Sequence, residues 1–331
     1  MKKKIAILIM SLMMLFVVAG CSSGGSKDDG ELKVALLLSG PANDQGWNAT
    51  ALEGLKQAES TYGIKTAYME NVQLADMEAA YTDYATQGYD LIIGHGFQFG
   101  EAAVKVAKNF PDQSFMATES NSQSDNMASY VMSCEQGAYL MGILSASMSK
   151  TAKIGVVGGF EQPSIVKEVE AYKLGAKSVN PNITVYTAYV SSWTDVTLGK
   201  EAGLSMADKG ADVLYHVANQ AGTGVIKAAE ERGLLALGNS YDQSSIAPNT
   251  IMCSTVYSMP KVIMAAVEKV QNKDFKGGII HLGMKDDVVG ISGYGTFDSK
   301  IPAEVKSKID SAKKDIISGT LNVPVIEKTT N

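Results

Sequence analysis

Residues 32–40, LKVALLLSG, carry the apolar run Val34–Leu38 closed by serine and glycine, and four more runs of the same build follow: YDLIIGHG (89–96), KIGVVGG (153–159), DVLYHVA (212–218) and LLALGNS (234–240). Each is a few apolar residues bounded by Gly, Asp or Asn, the composition of a parallel strand covered on both faces. Between them the period changes to that of helices. Ile165, Val169, Tyr172, Ala176 and Val179 recur at steps of three and four in 162–180, as do Val262, Ile263, Ala266, Val267 and Val270 in 259–272. Val305, Ile309, Ala312 and Ile316 repeat the pattern after Pro302, a residue suited to opening a helix. Strand–helix alternation of this kind predicts doubly wound α/β sheets.

About 300 residues are too many for one core, and two domains are predicted. Residues 31 to about 130 carry four βα-like units and 153 to about 250 another three. NMASYVMS (126–133) reads as a strand leading into the helix CEQGAYLMGILSASMSK. After 250 come a strand (IMCSTVYS), a helix, a strand (GGIIHLGM), VVGISGY and a last helix. Isolated elements after two complete units predict that the chain returns to both domains through a multi-strand hinge. The expected N-terminal domain is 31–132 with 252–276, and the C-terminal one 133–251 with 277–319. Ligands of open α/β sheets bind beyond the strands' carboxyl ends, so two facing sheets would hold one in the cleft between them.

The N-terminus bears on location. Lys2, Lys3 and Lys4 precede the apolar stretch 5–19, which is too short to span a bilayer, and Val18-Ala19-Gly20-Cys21 reads as a lipobox. Residues 1–20 are read as a signal peptide, Cys21 as a lipidated first residue, and 21–30 (CSSGGSKDDG) as a flexible tether to the outer face of the cell membrane. That location disfavours NAD- or ATP-dependent chemistry, and no cofactor is expected. Without the three leader lysines, 26 Lys+Arg face 35 Asp+Glu, a net charge of −9. Such a surface repels nucleic acid and anionic lipid. Cys134 and Cys253, both in apolar segments, read as buried free thiols.

Candidate contacts gather in the loops after strands. SGPANDQGWNATALEGL (39–55) offers Asn43 and Asp44 before a helix carrying Trp47; Asn43 reads equally well as that helix's cap. The second tryptophan, Trp193, also stands in a loop after a strand, SSWTD. Two aromatic rings so placed suggest a planar ligand clamped between them; the alternative is that both pack loops onto their domain cores. In GHGFQFGEA (94–102), Gly94 and Gly96 permit close backbone approach, and Phe97 or Phe99 can meet a ligand while the other joins the core. HExxH, GxSxG and CxxC are absent, and His95, His216 and His281 lie far apart at strands, as core or cleft-edge histidines do. GTGVIKAA (222–229) imitates a dinucleotide fingerprint, but Lys227 replaces its third glycine. Gly222 and Gly224 more simply expose backbone N–H groups at a helix start to a ligand.

At this point a resemblance becomes specific. NDQGWN (43–48), YDLIIGHGFQFGEAAVKVAKNFPDQSF (89–115), EQGAYLMGILSASMSKTAKIGVVGG (135–159) and GAKSVNPNITVYTAYVSSWTDVTLGKEA (175–202) resemble the basic membrane protein family, the lipoprotein substrate-binding components of ABC importers. The similarity runs from about 33 to 290. It implies a type I periplasmic-binding fold with an aromatic-lined interdomain cleft for a purine, served by a membrane permease. It further implies that Asn43 and Asp44 bond the base and that Trp47 and Trp193 stack on it. Asn219, Gly222 and Asp242 join Phe97 as further candidate contacts. Three positions depart from the family's nucleoside receptors. Ser240 stands for an aspartate that grips ribose, Tyr257 for a lysine, and Glu119 for an aspartate. Two neutral hydroxyls in place of two charges imply weaker ribose binding, so a nucleobase is expected to bind at least as tightly as its nucleoside. Two alternatives share these features: an extracytoplasmic ligand sensor docking on a signalling partner, and a nucleoside hydrolase.

Overall fold

The computed structural model describes residues 31–43 and 47–330; the expectations on the signal peptide, Cys21, the tether and Asp44 lie outside the described residues. The apolar runs are strands, and they build two six-stranded sheets. The first holds, in spatial order, β2 (Lys65–Met69), β1 (Lys33–Leu38), β3 (Leu91–His95), β4 (Ser114–Thr118), β5 (Met127–Met132) and β11 (Gly278–Leu282), all parallel. The second repeats that order with β7 (Thr184–Tyr189), β6 (Lys153–Gly158), β8 (Val213–Val217), β9 (Leu235–Gly238), β10 (Ile251–Tyr257) and β12 (Val289–Ile291), of which β12 runs antiparallel to β10. Central β3 and β8 are buried at every residue, whereas the edge strands β2 and β7 stay partly open. Helices on both faces account for the unbroken apolar runs.

The helices are α1 (Trp47–Tyr62), α2 (Met77–Thr86), α3 (Gly100–Ala107), α4 (Cys134–Met148), α5 (Pro163–Val179), α6 (Val196–Asp208), α7 (Gly222–Glu231), α8 (Met259–Gln271) and α9 (Ala303–Ser318). Their starts follow local chemistry. Asp195 caps α6 by accepting the Thr197 N–H at 2.9 Å, and Pro163 opens α5. Pro302 sits just before α9, not inside it, and Gly319 closes that helix with φ 78°. Cys134 and Cys253 are buried free thiols.

One expectation is corrected. Strand 251–257 pairs with β9 in the second sheet, and 278–282 pairs with β5 in the first, the reverse of the assignment read from the sequence. The chain crosses between sheets at Ser133, at Ser258 and in 283–288. These crossings are tied together: the Ser133 N–H donates to Leu282 O and the Ser258 N–H to Val288 O, each at 2.9 Å. After β9 both sheets still offer an open edge, and a short apolar run carries no mark of which edge it will extend. Helix α8 does pack on α1, beside the first sheet.

Candidate functional site

The carboxyl ends of both sheets carry a shared backbone signature. Among the described residues, eight non-glycine positions have positive φ, and five of these come within two residues of a parallel strand's end. They are Asn71, Glu119, Ser191, Asn219 and Ser240, with φ of 59°, 55°, 52°, 48° and 74°. Left-handed backbone costs energy for residues with a Cβ and gathers at binding sites. Glu119, Asn219 and Ser240 are three of the candidate contacts.

On the first sheet, Trp47 opens α1 and is 37% exposed. Its ring stacks on His95, at the end of β3, with centroids 4.1 Å apart and planes at 23°. His95 is fully buried, and its Nε2 lies 3.0 Å from the Trp47 carbonyl oxygen. A carbonyl only accepts, so Nε2–H donates; in the neutral ring Nδ1 then accepts from Thr118 Oγ1, also 3.0 Å away. His95 therefore holds Trp47 by ring and by backbone. The two phenylalanines divide as expected: Phe99 is fully buried and Phe97 is 67% exposed. Gly94 has another reason than ligand approach, since a Cβ there would lie 2.1 Å from the Tyr81 hydroxyl. Asn43 is exposed in a turn.

On the second sheet, Trp193 is half-buried, tilted against Phe160 with centroids 5.0 Å apart. Asn219 is exposed just before α7. Gly222 is buried, and its missing Cβ makes room for the His216 ring, 1.9 Å from where that atom would be. Burial pulls the His216 pKa down to about 4, against a 2.8 Å hydrogen bond with Gln243 Oε1. Asp242 is exposed and turned to its own loop, accepting the Ser244 N–H at 3.0 Å.

Between these walls lies a polar floor built mostly of residues the sequence does not mark. The Ser240 hydroxyl donates to Asn239 Oδ1 at 2.8 Å. Asn239 Nδ2 has the hydroxyls of Tyr257, Tyr215 and Thr255 at 3.0 Å and Glu168 Oε2 at 3.2 Å. The Tyr257 hydroxyl, in turn, donates to Glu168 Oε2 at 2.5 Å. The Tyr257 phenol stays neutral, its pKa pushed well above the ordinary value by burial, and a buried carboxyl accepts its proton in the hydrogen bond. Beside this group, the Met132 peptide at the end of β5 is held from both sides. Its N–H donates to Glu119 Oε1 at 2.8 Å, and its carbonyl accepts from Lys167 Nζ at 2.7 Å. Lys167 also lies 3.5 Å from Glu135 Oε2.

Glu119, Glu135 and Glu168 therefore surround one ammonium. Burial, against the Tyr257 hydrogen bond and the Lys167 charge, pushes the Glu168 carboxyl from 4.5 up to about 7. Burial likewise raises Glu119, with Lys167 opposing it. Burial pulls Lys167 downward, but the carboxylates of Glu119, Glu135 and Glu168 outweigh it and hold its pKa above that of an ordinary lysine. A buried excess of carboxylates favours a proton, or a ligand's hydrogen-bond donor, at this floor. Asn239, just before the end of the run LLALGNS, could have been suspected from the sequence. Lys167 and Glu168 could not, because a Lys-Glu pair beside an apolar stripe has the pattern of a solvated helix face.

Among the described residues no cluster of His, Cys, Asp and Glu is arranged to hold a metal ion. A concavity of about 420 Å³ beside the crossings is lined by Glu135, His281, Lys285 and the end of α9, and contains none of the candidate contacts.

Comparison with known proteins places this architecture. The profile of the Bmp family, described as ABC transporter substrate-binding protein PnrA-like, matches residues 31–327. A purine-binding protein of Brucella abortus is 31% identical over 314 residues, 94% of this chain and 88% of the relative. Transcriptional activator protein med of Bacillus subtilis is also 31% identical, over 304 residues, 91% of this chain and 93% of the relative. Among solved structures, an ABC transporter solute-binding protein of Aeropyrum pernix K1 superposes with a TM-score of 0.75 at 24% identity, covering 90% of this chain and 94% of that one. That likeness establishes the type I periplasmic-binding fold of two parallel-sheet α/β domains. With the profile spanning nearly all of the described residues, the chain belongs to the Bmp family of PnrA-like ABC transporter substrate-binding proteins.

Proposed function

We propose that this protein is a lipid-anchored, extracytoplasmic receptor that binds a purine-type small molecule, base or nucleoside, between its two sheets and delivers it to an ABC permease. One observation carries the reading: polar residues in left-handed backbone, Glu119 on one sheet and Asn219 and Ser240 on the other, stand at the strand ends where Trp47 and Trp193 supply flat rings. Stacking supplies roughly 1–3 kcal/mol per base in nucleic-acid complexes, with hydrogen bonds then selecting among planar ligands. The purine-binding relative supports the ligand class, and the lipobox at Cys21 supports the location. Asn43, Asp44, Phe97, Gly222, Asp242 and Tyr257 complete the proposed contact set. Mass spectrometry of the compound released on denaturing the purified protein tests the reading, with calorimetry on adenine, guanine, hypoxanthine, xanthine and their nucleosides. A purine with micromolar or tighter affinity is the expected outcome; a released sugar or amino acid would replace the reading.

A second reading draws on the relative that is named a transcriptional activator. The same fold would then act as a ligand-responsive sensor that docks on a signalling partner. A deletion strain separates the two: loss of purine uptake supports the receptor, whereas unchanged uptake with altered transcription supports the sensor.

A further inference from the structure

Tyr257 occupies an unusual hydrogen-bonding position. Tyr257 is half-buried at the carboxyl end of β10, and its hydroxyl is engaged by the buried Glu168 and Asn239, with the Tyr215 hydroxyl beside it. Glu168, on α5, is 5% exposed, and Asn239, after β9, is 4% exposed. A phenol has one proton to donate and lone pairs to accept with. The carboxylate of Glu168 can only accept, so the Tyr257 proton goes to it, across 2.5 Å. Asn239 Nδ2 can only donate, and it sits 3.0 Å from the same phenolic oxygen. What the phenol retains for a ligand is a lone pair, sharpened by the negative charge behind it.

We infer that Glu168 is a specificity-determining residue acting through Tyr257: by taking the only phenolic proton it makes Tyr257 an acceptor toward the ligand, so the site selects molecules presenting an O–H or N–H donor there over those presenting a lone pair. This inference rests on the purine-receptor reading, with Tyr257 facing the ligand. It alters the expectation about sugars. A ribose hydroxyl can donate to this oxygen and meet a charge-assisted acceptor, so the loss of the family's aspartate and lysine is offset.

The groups facing Glu168 are Lys167 beside it on α5, Glu135 and the Cys134 thiol of α4, Tyr215 of β8 and Tyr257 of β10, with Glu119 close to Lys167. Once protonated, Glu168 becomes a donor itself, and the phenol is released to turn its own proton toward the ligand. The donor preference therefore depends on pH through this one carboxyl, which a structural role alone would not produce.

The test compares inosine with its 2′-, 3′- and 5′-deoxyfluoro analogues, in which fluorine keeps the size of the hydroxyl but removes the donor. Calorimetry at pH 8 and pH 5.5 on the wild type, Tyr257→Phe and Glu168→Gln, with hypoxanthine as reference, reads the penalty for the lost donor. The wild type should lose tenfold or more on at least one analogue at pH 8, and less than threefold on the same analogue at pH 5.5. Tyr257→Phe should show less than threefold at both pH values. Glu168→Gln keeps an acceptor oxygen but cannot titrate, so its penalty should not change with pH. If inosine binds but no analogue is penalised, or the penalty survives in Tyr257→Phe, or Glu168→Gln retains the pH dependence, the inference is overturned while purine binding stands. If neither inosine nor hypoxanthine binds the wild type, the purine reading falls and the inference falls with it.

Discussion

Glu168 and His216 are both buried and ionisable, and they pull stability in opposite directions with pH. The Glu168 carboxyl, ordinarily at 4.5, is raised to about 7 chiefly by burial. Between those values the folded chain holds a proton that the unfolded chain has lost, so stability falls as pH rises. His216, ordinarily at 6.5, is lowered to about 4 by burial; there the unfolded chain holds the extra proton, and stability falls as pH drops. Comparing wild type with Glu168→Gln cancels the histidine. The melting temperature of the variant relative to wild type should rise by several degrees from pH 5 to pH 8. An offset that is the same at both pH values would mean that Glu168 does not titrate in this window. The two tryptophans are also separable residue by residue. Trp47 is exposed over His95, so Trp47→Ala should weaken purine binding at least tenfold and barely move the melting temperature. Trp193 packs on Phe160, so Trp193→Ala should lower both. Unchanged binding in Trp47→Ala with a lowered melting temperature would assign that ring to packing alone.

Helix α5 departs from a simple amphipathic design. Its apolar stripe is where the period puts it, with Ile165, Val169, Tyr172 and Ala176 buried, but Lys167, Glu168 and Glu170 are buried as well. The helix is enclosed because α4 lies along it while its first turns reach the end of β5. Charged residues on the outward face thus become structural and are satisfied by specific partners. Removing one partner of a buried ionic group costs about 3–5 kcal/mol, because the other charge stays uncompensated. Lys167→Met, which leaves Glu119 and Glu135 without their cation, should therefore lower the denaturation midpoint strongly. Adding Glu135→Gln should recover part of the loss, and a double variant no more stable than the single one would count against the pairing.

At the scale of the molecule, three crossings held side by side let two sheets share one set of connections. The Met132 peptide, just before the first crossing, is bonded by Glu119 from the first sheet's loops and by Lys167 from the second domain's helix. A ligand seated between the domains gives the closed arrangement contacts that an open one lacks, and so shifts the population toward closure. Solution scattering should accordingly show a smaller radius of gyration with saturating purine than without it. Superimposable profiles from a protein shown to start open would remove the hinge from the mechanism.

The α/β class, the strands, the main helices and the rings at strand ends were legible in the sequence, because each is a local pattern. A run such as LKVALLLSG or a spacing such as Val262, Ile263, Ala266 and Val267 states its own burial whatever the rest of the chain does. The family resemblance added Glu119, Ser240 and Tyr257, as candidate contacts, to the two tryptophans read from their own placement. Which sheet 251–257 and 278–282 would join was decided only by tertiary structure, since pairing depends on which distant edge is open. The same holds for the floor of the site. Glu168, Lys167 and Asn239 acquire their roles from partners up to 89 residues away, and no local period records such a meeting. Tyr257 reads as a plain hydroxyl in the chain, and only folding brings the buried Glu168 carboxyl within reach of its proton.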